Sequence, residues 1–172
     1  VAADAGLGKS RFVAEVLRHA QAVGLPVAFG QGESMARSTS YFPWRTSWRA
    51  LLGVDDEWSE IEAVAHLERE LAAIDPALVP RLPLLGAVIG IDIASNDLVR
   101  SLDAKLRKSS LENLLGDVLV HRLAGGPQLI VVDDLHWADP LSIELLLTLV
   151  RRTAGRGVAF LLAHRPEGDA ML

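Results

Sequence analysis

Cysteine is absent from the 172 residues, which excludes disulfides and thiolate metal sites and fits a reducing, cytoplasmic setting. His19, His66, His121 and His136 show no metal-ligand spacing, so no zinc site is expected. No secretory leader is visible. The longest apolar run, 82–94, is broken by Asp92 and is too short to cross a bilayer, so no membrane association is expected. An excess of positive charge is also missing. Seventeen Lys and Arg face 22 Asp and Glu, and the formal charge of −5 argues against broad charge-driven nucleic-acid binding by this segment. Neither internal repeats nor low-complexity tracts occur. There is no Met at position 1, and only Val1 and Ala2 precede the first motif, so the chain is expected to be a piece of a longer polypeptide. What is present is a composition of 50% hydrophobic and 23% charged residues, enough for one domain with a real core.

The most informative stretch is Ala3-Asp4-Ala5-Gly6-Leu7-Gly8-Lys9-Ser10. A phosphate-binding loop needs small residues whose successive N–H groups turn inward around a polyphosphate, followed by a helix that offers its positive N-terminal end. Gly8-Lys9-Ser10 completes the Gly-Lys-Ser/Thr half of the pattern, while Ala3 stands where the first glycine is usual. Lys9 is the candidate counter-charge for β- and γ-phosphates and Ser10 the candidate Mg²⁺ hydroxyl. The cofactor-binding set is therefore Ala5, Gly6, Leu7, Gly8, Lys9, Ser10 and Arg11.

The spacing of Val13, Val16, Leu17 and Ala20 predicts a helix over 10–23, ended by Gly24, and 26–30 reads as a short buried strand. Tyr41-Phe42-Pro43-Trp44 is expected to anchor a loop in the core. Helices are expected from 44 to 52, from 60 to 74 behind a Ser59–Glu62 capping box, and from about 98 to 123. Lys105, Arg107 and Lys108 read as a solvated helix face. Residues 128–133 read as a strand buried on both faces, four aliphatic residues (129–132) running into Asp133-Asp134. Carboxylates at a buried strand end are costly unless a cation sits there, and parallel sheets bind ligands at that end. Asp133 is the candidate Mg²⁺ ligand and Asp134 the candidate group that orients or deprotonates an attacking water. Asp139-Pro140 caps a leucine-rich helix, and 158–163 is a third strand that delivers Arg165, a second catalytic candidate, to the same edge.

The loop with Arg11-Phe12, together with Asp133-Asp134-Leu135-His136-Trp137-Ala138-Asp139-Pro140, closely resembles the AAA-type P-loop ATPase modules of bacterial signalling proteins, the signal-transduction ATPases with numerous domains. Those modules occur beside class III adenylate/guanylate cyclase domains and in LuxR-type regulators. Tyr41-Phe42-Pro43-Trp44-Arg45 and His164-Arg165-Pro166-Glu167 resemble further segments of the same modules. The resemblance implies ATP and Mg²⁺ as ligands, nucleotide state as a switch on a covalently attached effector domain, and nucleotide-dependent self-association.

The fold expected is an α/β P-loop NTPase of the additional-strand type: a three-layer parallel sheet, cut at both ends, with a helical insertion. Its parts are 1–30 (phosphate loop, first helix, strand), 43–125 (helical insertion) and 126–167 (acidic strand, helix, sensor strand). The strands are expected in the order 158–163, 128–133, 26–30, with 158–163 an uncovered edge. The function expected is ATP binding with slow hydrolysis in a multidomain regulator. A nucleotide-binding scaffold without turnover and a P-loop kinase are the alternatives, the first favoured by aspartate rather than glutamate at 134.

Overall fold

Residues 1–4 and 6–166 are described by a computed structural model. The first helix, α1 (Lys9–Ala22), ends where Val23 donates to the His19 carbonyl and Gly24 takes φ +67°, a conformation that favours glycine. The chain then enters β1 (Val27–Gln31). A long helical stretch follows: α2 (Arg45–Leu52), α3 (Glu60–Ile74), a 3₁₀ run over Pro76–Leu85, and the short α4 (Gly86–Ile89) and α5 (Asp97–Ser101). The long α6 (Ala104–Ala124) completes it. The chain returns to the sheet through β2 (Gln128–Asp133), α7 (Pro140–Thr153) and β3 (Val158–Leu162).

The three strands are parallel and ordered β1-β2-β3, with Gln31 beside Asp133 and Val132 beside Leu162. This is the order expected from the sequence. The edge differs. Ala2 forms a parallel bridge to His164, the His164 N–H donates to the Val1 carbonyl at 3.1 Å, and the Ala3 N–H donates to the His164 carbonyl at 3.4 Å. The C-terminal end of β3 is therefore bordered by Val1–Ala3. Unpaired backbone groups along a strand are costly to leave without partners, and these three residues supply them there.

Alternate residues of β2 serve opposite faces, as the period of two requires. Leu129 and Val131 pack with Val13 and Ala20 of α1. Ile130 and Val132 pack into the larger core with Trp48, Leu115, Leu145 and Leu149. Helices thus cover both faces of a parallel sheet, and β2 is buried along nearly its whole length. Gly30 is required by a close approach: a Cβ there would sit 2.0 Å from the Pro43 carbonyl oxygen. Tyr41 and Trp44 lie in the core as expected.

Local signals account for most helix ends. Ser59 and Glu62 form the reciprocal capping box, at 3.3 Å and 2.9 Å. The helix expected over 98–123 is instead broken at Leu102, because Asp103 caps a new helix by accepting from the Leu106 N–H at 2.8 Å. Nor is Lys108 a purely solvated charge. It bridges Glu112 of α6 and Glu144 of α7, both at 2.7 Å, and these two carboxylates hold its ammonium group above the usual lysine range. Next to it, burial pushes the Tyr41 phenol up to about 12, with Glu112 adding to the effect.

Asp139 joins the two halves of the chain. Its Oδ1 accepts from the N–H groups of Leu141 and Ser142. Its Oδ2 accepts from the Ser142 hydroxyl at 2.5 Å and from the Tyr41 N–H at 3.0 Å. Tyr41 is held at φ +60°, and the Trp44 indole N–H donates to the Ser142 carbonyl at 3.0 Å. Asp139→Ala removes a helix cap and leaves the buried Tyr41 N–H unpaired. A loss of about 3 kcal/mol is expected, read as a lowered urea midpoint at unchanged slope.

Candidate functional site

The phosphate-loop candidate leaves the bridge to β3 and enters α1 through two glycines at φ +83°, Gly6 and Gly8, with nothing within 4 Å of a Cβ built at either. Backbone conformation, not space, therefore demands glycine at these positions. No such demand exists at Ala3. Among the described residues the non-glycine residues at positive φ are Tyr41 and Asp134, so Ala3 sits where a Cβ costs no strain. Ala5 lies outside the described residues, as does Glu167.

Lys9 is buried and folds back over the loop. Its ammonium donates to the Ala3 carbonyl at 2.5 Å and to the Asp4 carbonyl at 2.9 Å. The loop is further closed by the Leu7 N–H donating to the Asp4 carbonyl at 3.4 Å, and α1 starts with the Phe12 N–H on the Gly8 carbonyl at 2.9 Å. Leu7, Ser10 and Arg11 are exposed around this turn.

Asp133 ends β2 and is 6% exposed. Its Oδ1 accepts from the Asp134 N–H at 2.8 Å, and its own carbonyl accepts from the Gly32 N–H at 3.0 Å. Asp134 takes φ +50°, ψ +40°, which turns its half-buried carboxylate out of the strand line. Two groups approach that carboxylate. The Gln31 amide at the end of β1 donates to Oδ2 across a long 3.4 Å, and His136 Nδ1 lies 3.9 Å from Oδ1. Close packing fixes the turn: a Cβ on Gly32 would meet the Asp134 carbonyl oxygen at 2.5 Å. Just beyond, the Arg37 guanidinium lies 4.3 Å above the Trp137 ring and donates to the His136 carbonyl at 3.2 Å. Arg165 follows the β3 end and is exposed, next to the His164 that pairs with Ala2.

The sheet register thus puts three groups of candidates at one edge: the Gly6–Arg11 loop, the Asp133-Asp134 pair and Arg165. Gln31 and Arg37 were not anticipated from the sequence. The available signal was the parallel register itself, which sets Gln31 beside Asp133 once 26–30 and 128–133 are recognised as neighbours.

The residues suit a nucleotide with Mg²⁺. The buried Asp133 carboxylate is paired with no lysine or arginine among the described residues, so a cation there would offset its desolvation. Among the described residues there is no cluster of three or more His, Asp or Glu side chains able to hold a metal. Mg²⁺ is commonly held by one or two carboxylates together with substrate phosphates, and Asp133 would be one such carboxylate. No helix of the described residues is long and apolar enough to cross a membrane.

Comparison with known proteins gives a consistent result. The family described as the AAA ATPase domain matches residues 1–161. An uncharacterized protein of Rhizobium meliloti (strain 1021) is 30% identical over 166 residues, which is 95% of this chain and 16% of that protein. The chain therefore spans about one sixth of the length of that relative. No solved structure matches.

Proposed function

The chain belongs to the AAA ATPase domain family, and from that premise we propose that it binds ATP with Mg²⁺, hydrolyses it slowly, and acts as the nucleotide-operated switch of a larger signalling protein. The observation that carries the site assignment is the convergence of the Lys9 loop, Asp133-Asp134 and the β3 end at one sheet edge. In this reading the N–H groups of Gly6 to Arg11 receive the phosphates and Lys9 exchanges its loop carbonyls for phosphate oxygens. Ser10 and Asp133 hold Mg²⁺, which supplies neutralisation of phosphate charge when bound. Asp134 orients or deprotonates the attacking water, and Arg165 would reach the terminal phosphate from the β3 end.

Support for a switch within a larger polypeptide comes from the resemblance of the Asp133–Pro140 run to cyclase-linked and LuxR-type modules, and from the much greater length of the R. meliloti relative. A second reading, a nucleotide-binding scaffold without turnover, is favoured by one observation. The short Asp134 side chain already has Gln31 and His136 beside it.

ATP titration by calorimetry, with and without Mg²⁺, tests the proposal. The parent chain is expected to bind ATP more tightly with Mg²⁺ present. Asp133→Ala is expected to bind equally with and without it. ATP binding that ignores Mg²⁺ in the parent would remove Asp133 from the site.

A further inference from the structure

Charge is distributed very unevenly along the chain. Residues 53–97 hold ten acidic side chains and two basic ones, a net −8, whereas the remainder holds twelve acidic and fifteen basic, a net +3. This acidic segment contains α3 and the 3₁₀ run, and between them lies an open groove of about 740 Å³. Its floor is apolar: Val64 of α3, Val79 and Leu82 of the 3₁₀ run, and Ile93 beyond α4. Ile61 stands at its mouth on the first turn of α3 and is 83% exposed, an unusual position for a large aliphatic side chain on an otherwise amphipathic helix. The rim is formed by Glu60, Glu68 and Asp92, all exposed. Three other acids of the segment are ion-paired, Asp56 with Arg49, Glu70 with Arg122 and Asp97 with Arg100. The three rim carboxylates have no ion pair with a described residue; Glu60 merely accepts a long 3.5 Å bond from the Asp92 N–H.

An apolar floor between unpaired carboxylates is complementary to one kind of surface, an apolar stripe flanked by cations. We propose that this groove docks an amphipathic helix of a partner protein, with its Leu-type residues on Val64, Val79 and Ile93 and its Lys or Arg residues on Glu60, Glu68 and Asp92. The row Glu60–Glu68 is about 12 Å long at helical rise, so two to three turns of the incoming helix engage it. Attraction between rim and helix speeds encounter and is screened by salt, while the floor supplies the apolar burial. The groove lies in the helical stretch between β1 and β2, and none of its lining residues belongs to the loop, the acidic pair or the β3 end.

The probe is a fluorescent 18-residue peptide of Leu and Lys at amphipathic helical spacing, titrated with the whole chain at low and at moderate salt. Binding is expected, weakening with salt. It is expected to weaken at least tenfold on Ile61→Asp and several-fold on Glu68→Lys. The first change sits at an exposed first-turn position that favours aspartate, so the fold is retained. Glu15→Lys, on the distant α1, makes the same change of net charge and is expected to leave binding unaltered. A composition-matched peptide with scrambled spacing is expected to bind at least tenfold more weakly. No binding, equal binding of the scrambled peptide, or equal loss from Glu15→Lys and Glu68→Lys would overturn the proposal. So would a dimer of this chain in light scattering that Ile61→Asp dissolves, since a second copy would then be the occupant.

Discussion

Lys9→Ala is expected to lower ATP affinity by roughly a hundredfold or more. The ammonium group at this position is held within the loop by two carbonyls, at 2.5 and 2.9 Å, and is nearly enclosed. Bound to a triphosphate it would trade these neutral acceptors for charged ones. Hydrogen bonds to charged groups are worth about 1.5–3 kcal/mol each, and about 2.7 kcal/mol is a factor of one hundred in affinity. Alanine also releases the Ala3 and Asp4 carbonyls, so the loop loses its internal clasp along with its cation. Both effects act in the same direction on nucleotide binding. They separate in a stability measurement made without nucleotide, where only the lost clasp contributes, by about 1 kcal/mol. Calorimetric titration of the parent and the variant with ATP·Mg²⁺ decides the matter. Equal affinities would show that Gly6–Arg11 is a glycine-rich helix cap and nothing more.

The sequence made the sheet legible because its strands announce themselves locally. Leu129–Val132 is an unbroken apolar run between Pro127 and Asp133, and Val158–Leu162 is another behind Gly155 and Gly157. The caps at Ser59 and Asp139 were legible for the same reason, since an N-cap bonds within three residues of itself. The features that escaped are those made by residues about one hundred positions apart. The Gln31 contact with Asp134 spans 103 residues, and Arg37 on the His136 carbonyl spans 99. Neither residue belongs to a motif; each acquires meaning from the strand register and the turn after β2. The place of Val1 and Ala2 beside 158–163 follows from their position just before the phosphate loop, whereas their hydrogen bonds to the end of β3 were not expected, since 158–163 reads as an uncovered edge. The break at Leu102 is masked by apolar spacing that continues on both sides of it, and its local signal is Asp103, the N-cap of α6.

Asp134→Asn is expected to leave ATP bound within about twofold of the parental affinity while lowering turnover by about a hundredfold, the lower end of what a positioned general base contributes. The choice of asparagine follows from the backbone. Asp134 sits at φ +50°, a conformation that Asn and Asp adopt far more readily than other side-chain-bearing residues. The turn also approaches the Gly32 backbone so closely that a Cβ there would meet the Asp134 carbonyl oxygen. Asparagine keeps this geometry and the shape of the carboxylate, and loses only its charge and basicity. Alanine would mix backbone strain with lost chemistry. Gln31 then distinguishes the two readings of the site. If Asp134 activates water, its contact with the Gln31 amide restrains the carboxylate, and Gln31→Leu is expected to change turnover while ATP affinity stays as in the parent. If the chain is a scaffold, the parent itself shows no turnover above background. Gln31→Leu and Asp134→Asn are then equally silent, although Lys9→Ala still abolishes tight binding. Parental turnover retained in Asp134→Asn would assign water activation to another group at this sheet edge, and Arg165 is the next residue to substitute.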